Sequence, residues 1–434
     1  MGDGLQKTLT SPKPPVDLTK LYNRQSVKIS IAGNVDDGKS TFIGRLLYDT
    51  GNVKKDIIGN VSVISKQFSS TNFDFALLVD GLKKEVEQGI TINVCFRYIY
   101  TENHKITLID TPGHLQYFPQ AFYGVTLADS LIIICDISKE LSRHTLRFLA
   151  LASLLNLKNV LIFLNKVDRT GYNIKKVEDY NIKVKEVYQS ILKEWEKLGF
   201  TPEHQQIKII PGSALEGDNI IKQSSKLPPP DNLTVWQWIN NLNKNDNEYR
   251  NMLASVNVSL RKGENRYYGI KLLSGTLKKG MNIFVYPEKI KTRVTSVFKG
   301  DKQFEEISAP LSATISIEDD IDLSCEHFIS ETDSLFHSDT IRGILLKMTD
   351  YRLTPDTKYI ISNNLCSCPC LIKKFEELGE APFYDDSSPF NFFYCELLVP
   401  PEFHYLPYIK CKNAGVFVII DPVFHTTSGA GILL

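Results

Sequence analysis

Residues 33–40 constrain this chain more than any other stretch, because they place the pattern G-x-x-x-x-G-K-S between an apolar strand and an amphipathic helix. Gly33 and Gly38 let the backbone turn tightly and approach an anion. Backbone N–H groups and the positive helix end can then surround a phosphate, while Lys39 neutralises charge and the Ser40 hydroxyl is placed to bind Mg²⁺. The alternative is a glycine-containing turn without a ligand. The strand and helix on either side favour a phosphate-binding loop.

The following 200 residues alternate short β-branched runs with helical segments. This alternation predicts an α/β domain with a mostly parallel sheet and helices on both faces. In such sheets the ligand lies against the loops at the carboxyl ends of the strands. We expect strands at 27–33, 94–100, 106–110, 131–136, 160–165 and 207–211.

A second motif, DTPGH at residues 110–114, follows one of these strands. The Asp110 carboxylate can hold Mg²⁺ through water, Gly113 offers an unhindered N–H to a γ-phosphate, and His114 can orient an attacking water. An ordinary turn with a surface histidine is the alternative. Thr91 is the candidate for a switch threonine that reaches Mg²⁺ when a γ-phosphate is present, although a Thr that simply enters a strand is equally compatible.

A third motif, NKVD at residues 165–168, follows the strand at 160–165. The Asp168 carboxylate can accept hydrogen bonds from guanine N1–H and the exocyclic amine, Asn165 can tie the base to the phosphate loop, and the Lys166 stem can pack on the ring. Adenine would leave the carboxylate unpaired, which predicts discrimination of order ~10⁴. The backbone N–H groups after the next strand would meet guanine O6, at Ser213, Ala214 and Leu215. These motifs, in this order, predict a GTPase domain with GTP and Mg²⁺ as ligands.

The remainder of the chain lacks helical periodicity. After a last helix with Trp236 and Trp238, short alternating runs predict two small antiparallel β-barrel domains without a catalytic constellation. His404, His425 and the aromatic run at 389–394 are therefore expected in core or interface positions. We expect a flexible N-terminal lead-in at 1–26, a GTP-binding domain at 27–242, and barrels at 248–336 and 337–434.

Composition excludes several other classes of protein. Lys plus Arg and Asp plus Glu both number 50, so the formal net charge is zero and nothing favours nucleic acid as a partner. No apolar run approaches the roughly 18 residues that cross a bilayer, and the N-terminus has no secretory signal, which predicts a cytoplasmic protein without a membrane partner. The eight cysteines are then expected to be reduced.

Cys366, Cys368 and Cys370 admit two interpretations. Their spacing places them on one face of a strand, whereas structural zinc sites usually use CxxC pairs. We favour a strand with small apolar side chains over a metal site.

With these residues assembled, the chain resembles the GTPase subunits (subunit 1) of bacterial sulfate adenylyltransferase, in the elongation factor Tu-like translational GTPase superfamily. The resemblance is carried by VDDGKSTFIGRLLYDT at 35–50, LLVDGLKKEVEQGITINV at 77–94, DTPGHLQY at 110–117, NKVD, GSALEGDNI at 212–220 and the terminal IDPVFHTTSGAGILL. It therefore covers nearly the whole chain.

The resemblance implies that GTP hydrolysis on this chain drives a partner catalytic subunit, which transfers AMP from ATP to sulfate and forms adenosine 5′-phosphosulfate. It implies that phosphates are bound by Gly33, Asn34, Val35, Asp36, Asp37, Gly38, Lys39, Ser40 and Thr41. It also assigns Mg²⁺ to Ser40, Thr91 and Asp110, hydrolysis to His114, Lys39 and Thr91, and guanine to the NKVD and 213–215 residues. Some relatives carry a fused adenylylsulfate kinase; one phosphate loop and an end at Leu434 predict that this activity is absent here.

Several positions depart from the family pattern. Val86 stands where Arg is usual, Leu115 where Glu is usual, FPQAFYG at 118–124 replaces a more polar helix, and DISKE at 136–140 replaces DARKG. Since partners contact switch surfaces, these changes leave open whether hydrolysis remains coupled to adenylyl transfer. The alternatives are a divergent paralogue that carries an RNA ligand, as elongation factors do, or a regulatory GTPase with another partner.

Overall fold

The computed structural model describes residues 25–53, 56–59, 61, 73–79, 93–101, 104–203, 205–227, 232–242, 249–263, 265–333, 335–349, 353–355, 357–379, 381–384, 388 and 390–434. The predictions for the lead-in before residue 25, for Val86 and for Thr91 lie outside these residues. So does the predicted linker near 243–247.

The first sheet has six strands, and their order is β2-β3-β1-β4-β5-β6. β2 runs antiparallel to β3, and the remaining pairings are parallel. This confirms the predicted mostly parallel sheet, with β1 beginning two residues earlier than expected. The strands are β1 Gln25–Gly33, β2 Cys95–Tyr100, β3 His104–Asp110, β4 Ser130–Asp136, β5 Asn159–Asn165 and β6 Gln206–Pro211.

Helices cover both faces of this sheet. Alternate residues of β4 point to opposite faces of the sheet. Leu131 and Ile133 pack into the core on one face, and Ile132 and Ile134 pack into the core on the other. A strand that is buried on both faces has a continuous apolar sequence, and β4 is such a strand. The helices are α1 Lys39–Asp49, α2 Phe118–Thr126, α3 Arg143–Leu154, α4 Ile174–Lys197 and α5 Val235–Asn240. None of the helices in the described ranges is long and apolar enough to span a membrane.

Side-chain caps fix where several of these helices begin. The Ser142 hydroxyl accepts a hydrogen bond from the Thr145 N–H at 3.1 Å at the start of α3. Thr234 and Gln237 form a reciprocal capping box at the start of α5. Each cap satisfies N–H groups that have no partner within the helix.

The second sheet forms a closed barrel through the strand order β10-β15-β7-β8-β14-β11, and β11 pairs back with β10. This confirms the first predicted barrel. Its interior is an aliphatic core that includes Val256, Ile270, Val285 and Ile315. The strands of this region are β7 Leu253–Lys262, β8 Asn265–Ser274, β9 Thr276–Lys278, β10 Asn282–Tyr286, β11 Ile290–Lys299, β12 Lys302–Gln303, β13 Glu306–Ser308, β14 Leu311–Ile317 and β15 Phe328–Ser330.

The third sheet also closes into a barrel, in the order β16-β19-β18-β17-β20-β21. The barrels formed by the second and third sheets are called the second and third barrels below. Cys370 is buried in its core, and Cys366 and Cys368 pack against that core. Burial raises the pKa of Cys370 to about 12, so its thiol stays protonated. No metal-binding group of three or more His, Cys, Asp or Glu occurs among the described residues. The elements are β16 Thr340–Lys347, β17 Lys358–Ser362, β18 Ser367–Glu377, β19 Phe392–Leu398, α6 Lys412–Gly415, β20 Val416–Ile420 and β21 Thr427–Leu433.

One continuous core joins the third barrel to the α/β domain. Trp195 of α4 stacks on Phe383 with ring centroids 4.8 Å apart, and its indole N–H donates to the Ser153 hydroxyl at 2.7 Å. The Tyr408 hydroxyl donates to the Leu155 carbonyl at 2.8 Å. The barrel is therefore packed on α3 and α4 through buried side chains.

The two predicted core histidines lie in different surroundings. His404 is buried between the second and third barrels, with its ring 5.0 Å from Tyr286 and 5.6 Å from Phe328. Burial lowers the pKa of His404, because it disfavours the charged imidazolium. His425 is instead exposed in the turn between β20 and β21 with a φ of 53°, so it is not a core residue, and its expected place at an interface stays a prediction.

Replacement of Phe383 by Ala tests the shared core. Phe383 is 1% exposed, so we expect Phe383→Ala to lower the free energy of unfolding by about 3 kcal/mol through lost burial and a residual cavity. Phe424→Ala is the control, since Phe424 is 67% exposed and its loss should change stability by less than about 0.5 kcal/mol. Urea denaturation measures both, and an equal effect of the two variants would contradict the packing described above.

Candidate functional site

The predicted site residues in the described ranges gather at one edge of the first sheet. The loops that follow β1, β3, β4, β5 and β6 all begin at the carboxyl ends of these strands. Because β1, β3, β4, β5 and β6 are parallel neighbours, these five loops lie side by side. This is the edge at which open α/β sheets bind ligands.

The phosphate loop, residues 34–38, requires glycine at its last position, Gly38, and at Gly33, just before the loop. Gly33 has φ 150° and Gly38 has φ 93°. A Cβ atom at Gly33 would lie 2.4 Å from the Ile134 carbonyl oxygen, and one at Gly38 would lie 2.4 Å from Asn165 Nδ2. Only glycine therefore fits at these two positions, because the backbone angles favour it and a Cβ atom would collide with neighbouring atoms.

Lys39 is buried at the first position of α1 and reaches back over the phosphate loop. Its ammonium donates to the Gly33 carbonyl at 3.0 Å and to the Asn34 carbonyl at 2.9 Å. Burial lowers the pKa of Lys39, and the negative charges of Asp110 and Asp37 act against that shift. The cation is thus placed where an anion bound to the loop would meet it.

The 110–114 loop packs directly against Lys39. A Cβ atom at Gly113 would lie 2.2 Å from Lys39 Nζ. Thr111 fixes the loop to β1, since its hydroxyl donates to the Ile31 carbonyl at 2.8 Å. Asp110 is 1% exposed at the end of β3. The loop that was predicted to read a γ-phosphate therefore borders the phosphate loop.

His114 precedes a short 3₁₀ turn at Leu115–Tyr117. Its Nε2 atom is buried and has no hydrogen-bond partner among the described residues. A buried ring nitrogen of this kind can hold a water. Ser40 and Thr41 are half-buried in the first turn of α1. The structure thus places hydroxyl and carboxylate oxygens, the ligands that Mg²⁺ prefers, on α1 and at the end of β3.

The NKVD motif lies on the other side of the phosphate loop. Asn165 Nδ2 donates to the Asp37 carbonyl at 2.8 Å, and its Oδ1 accepts from the Ala214 N–H at 2.9 Å. Asp168 Oδ1 is buried without a hydrogen-bond partner among the described residues. A buried carboxylate oxygen in this state fits a ligand that donates hydrogen bonds, as guanine does.

The loop after β6 completes this side of the site. The Ser213 hydroxyl accepts from the Glu216 N–H at 3.2 Å and shapes the turn. Leu215 is exposed, and its carbonyl accepts from Arg45 of α1 at 2.8 Å. The guanidinium of Arg45 also pairs with Asp49 at 2.8 Å. Arg45 therefore ties this loop to α1.

Three residues of the site were not predicted from the sequence: Arg45, Asp136 and Lys139. The Asp136 carboxylate pairs with Lys166 at 2.8 Å and accepts from the Ser138 N–H at 2.9 Å. Burial opposes ionisation of Asp136, but these contacts outweigh it and lower its pKa. The sequence could have indicated Asp136, because it is an acidic residue at a strand end. It could also have indicated Arg45, because Arg45 and Asp49 have the i,i+4 spacing of a helical ion pair. No local pattern indicates Lys139.

Comparison with known proteins adds an independent observation. Residues 24–284 match the family model described as the elongation factor Tu GTP binding domain. A protein named sulfate adenylyltransferase subunit 1 from Francisella tularensis subsp. novicida is 30% identical over 440 residues, which cover 96% of this chain and 88% of that protein. A protein of the same name from Bacteroides fragilis is 30% identical over 427 residues and covers 96% of this chain and 87% of its own length.

Among solved structures, the S. cerevisiae Ski7 GTPase-like domain, bound to GDP and inorganic phosphate, has a similar fold. It covers 96% of this chain and 100% of its own, with a TM-score of 0.51 and 17% identity. At this identity the likeness supports the shared fold only.

Asp168→Asn tests the base side of the site. We expect it to weaken binding of GDP about 100-fold and to admit xanthosine diphosphate, because an amide can donate to the xanthine C2 carbonyl where the carboxylate accepted from the guanine amine. Competition with a fluorescent guanine nucleotide measures both affinities. Asp179→Asn, on the exposed surface of α4, is the control and should change neither. A variant that kept the full preference for guanine would remove Asp168 from the base site.

Proposed function

The chain belongs to the elongation factor Tu-like GTPases and, within them, to the sulfate adenylyltransferase subunit 1 family, and from this membership we propose that it is the GTP-hydrolysing subunit of a sulfate adenylyltransferase. One observation carries the proposal. The similarity to relatives named sulfate adenylyltransferase subunit 1 covers 96% of the chain, so it includes both barrels, whereas the GTP-binding family model ends at residue 284.

The proposed reaction couples two chemical steps on two subunits. A partner catalytic subunit transfers AMP from ATP to sulfate, which forms adenosine 5′-phosphosulfate and releases pyrophosphate. This step is unfavourable because the product contains a high-energy phosphate–sulfate anhydride. Hydrolysis of GTP to GDP and phosphate on the present chain would supply the free energy. The chain would therefore act in the cytoplasm as part of a heteromer.

We assign the binding roles from the geometry of the five loops. The backbone N–H groups of residues 33–41 and the Lys39 ammonium would hold the phosphates. Asp168 would accept from the guanine N1–H and amine, the Lys166 stem would pack on the base, and the loop at 213–215 would face guanine O6. Asn165 would keep these two halves of the site in register, since it is hydrogen-bonded to Asp37 and Ala214.

We assign the hydrolytic roles to the 110–114 loop. Gly113 would donate its N–H to the γ-phosphate, and the buried Nε2 atom of His114 would orient the attacking water. Ser40, Thr91 and Asp110 would hold Mg²⁺, which supplies charge neutralisation on the β- and γ-phosphates when it is bound.

We further propose that the chain is divided into a GTP-binding domain at 27–242 and barrel domains at 248–336 and 337–434. The division agrees with the three large sheets, of which one belongs to the α/β domain and the other two close into barrels. A core is shared by α3, α4 and the third barrel. The GTP-binding domain and the domain at 337–434 would therefore not move independently of each other.

His114→Ala tests the proposed coupling. Loss of the imidazole should lower the rate of GTP hydrolysis about 100-fold while GDP affinity stays within about threefold, because the ring acts on water and not on the base or phosphates. With the partner adenylyltransferase added, the wild-type chain should raise the yield of adenosine 5′-phosphosulfate when GTP is present, and His114→Ala should lose that stimulation in parallel with hydrolysis.

Lys39→Ala is the control for this experiment, since it should abolish nucleotide binding altogether. Equal loss of affinity and hydrolysis in His114→Ala would remove the role assigned to the ring. If GTP were hydrolysed without any change in the yield of adenosine 5′-phosphosulfate, the proposed coupling would be wrong.

A further inference from the structure

Lys139 lies in the loop after β4 and reaches the phosphate loop. Its ammonium lies 3.2 Å from Asp37 Oδ1 and donates to the Val35 carbonyl at 3.4 Å. The other oxygen of the same carboxylate, Asp37 Oδ2, accepts from the Asn34 N–H at 3.3 Å. One cation therefore contacts two residues of the phosphate loop, and the carboxylate that it pairs with holds a third.

The pair is asymmetric in its exposure. The Asp37 side chain is 5% exposed, whereas the Lys139 side chain is 48% exposed. Burial raises the pKa of Asp37, and the hydrogen bond and charge of Lys139 are the largest of the influences that lower it, ahead of the charge of Lys39. The ionised form of the Asp37 carboxylate is thus stabilised mainly by Lys139, which lies in the loop after a different strand, β4.

An ionised carboxylate inside a phosphate loop opposes the function proposed for that loop. Like charges a few ångströms apart in a partly buried site repel strongly, and a nucleotide carries several negative charges on its phosphates. Replacement of the counterion by an apolar side chain would leave the Asp37 charge directed at the ligand. It would also remove the contact to the Val35 carbonyl, while the bond from the Asn34 N–H to Asp37 would be left to a carboxylate without its counterion.

The neighbouring strand end shows the same arrangement. Lys166 in the loop after β5 pairs with Asp136 at 2.8 Å and donates to the Asp36 carbonyl of the phosphate loop. Lysines from two adjacent loops therefore hold residues 35–37 from the same side. Lys166 belongs to the NKVD motif, but Lys139 belongs to none of the motifs that bind phosphate, Mg²⁺ or guanine.

We propose that Lys139 is a positioning residue for nucleotide binding, which neutralises Asp37 and holds residues 34–37 in the shape that receives the phosphates. This inference rests on the proposed GTP-binding function and adds to it a residue that acts through Asp37. The competing role would be direct contact between Lys139 and a phosphate. The two roles differ in whether the effect of Lys139 requires the Asp37 carboxylate.

Lys139→Met is the first variant, and GDP affinity measured by titration with N-methylanthraniloyl-GDP is the readout. We expect GDP to bind about 10- to 100-fold more weakly, because a buried carboxylate loses its counterion while the half-exposed position limits the effect. Lys139→Arg should stay within about threefold of the wild type, since it restores the charge. Lys197→Met is the matched control, because Lys197 also pairs with a carboxylate, Glu194 at 2.7 Å, on the surface of α4.

A second-site variant separates the two roles of Lys139. When Asp37→Asn is combined with Lys139→Met, most of the lost affinity should return, because no charge is left to neutralise. Asp37→Asn alone and the double variant should then bind GDP within about fivefold of each other. This comparison remains informative if Lys139→Met alone fails to fold.

Three results would overturn the inference. The first is equal GDP affinity of Lys139→Met, Lys197→Met and the wild type. The second is a double variant at least tenfold weaker than Asp37→Asn, which would mean that Lys139 acts on the phosphates directly. The third is a wild-type chain that binds no guanine nucleotide, and this result alone would also overturn the proposed function.

Discussion

The side-chain amide of Asn165 is the contact on which the rest of the site depends. It donates to the Asp37 carbonyl at 2.8 Å and accepts from the Ala214 N–H at 2.9 Å, so one planar group joins the loops after β1, β5 and β6. Because the amide is buried, both bonds replace contacts with water, and loss of either would leave a polar atom unsatisfied. Gly38 is part of the same constraint, since a Cβ atom there would displace the amide. The distance between the phosphate side and the base side is therefore fixed by the two hydrogen bonds of one buried side chain.

The same sheet is linked to the third barrel through a short series of packed side chains. Phe118 begins the helix that follows the 110–114 loop, and the Arg147 guanidinium lies 4.0 Å from its ring centroid. Arg147 is fully buried and donates to the Ser388 hydroxyl at 2.9 Å, across the contact between α3 and the third barrel. A displacement of α2 would therefore disturb a cation that the barrel also holds. The helix after the 110–114 loop and the third barrel are thus joined through one buried guanidinium.

The sequence was sufficient to predict the mostly parallel sheet, the two barrels and the loops that gather at one edge of the first sheet. Strands such as β4 and β5 are continuous apolar runs, and the chemistry of DTPGH and NKVD is local to each motif. Contacts between loops that belong to no motif, unlike the one made by Asn165, were not predictable in this way. Lys139 and Asp37 are separated by 102 residues, and their pairing depends on the neighbouring positions of β1 and β4. His425 illustrates another limit, because no local pattern marked its exposed position in the turn between β20 and β21.

Three lysines lie at the ligand-binding edge of the sheet, and their present contacts indicate which of them can exchange a protein contact for a phosphate. Lys139 and Lys166 are each paired with a carboxylate, Asp37 and Asp136. Lys39 is instead hydrogen-bonded to two neutral carbonyl oxygens, those of Gly33 and Asn34. A phosphate that competes for Lys139 or Lys166 would leave a carboxylate without its counterion, whereas one that competes for Lys39 would displace only carbonyl contacts. Burial already disfavours the charge of Lys39, so an anion beside it would be stabilised more than one beside an exposed lysine. Under the proposed function, the local pairing of charges thus favours Lys39 as the lysine that binds the phosphates and the other two lysines as supports of the loop.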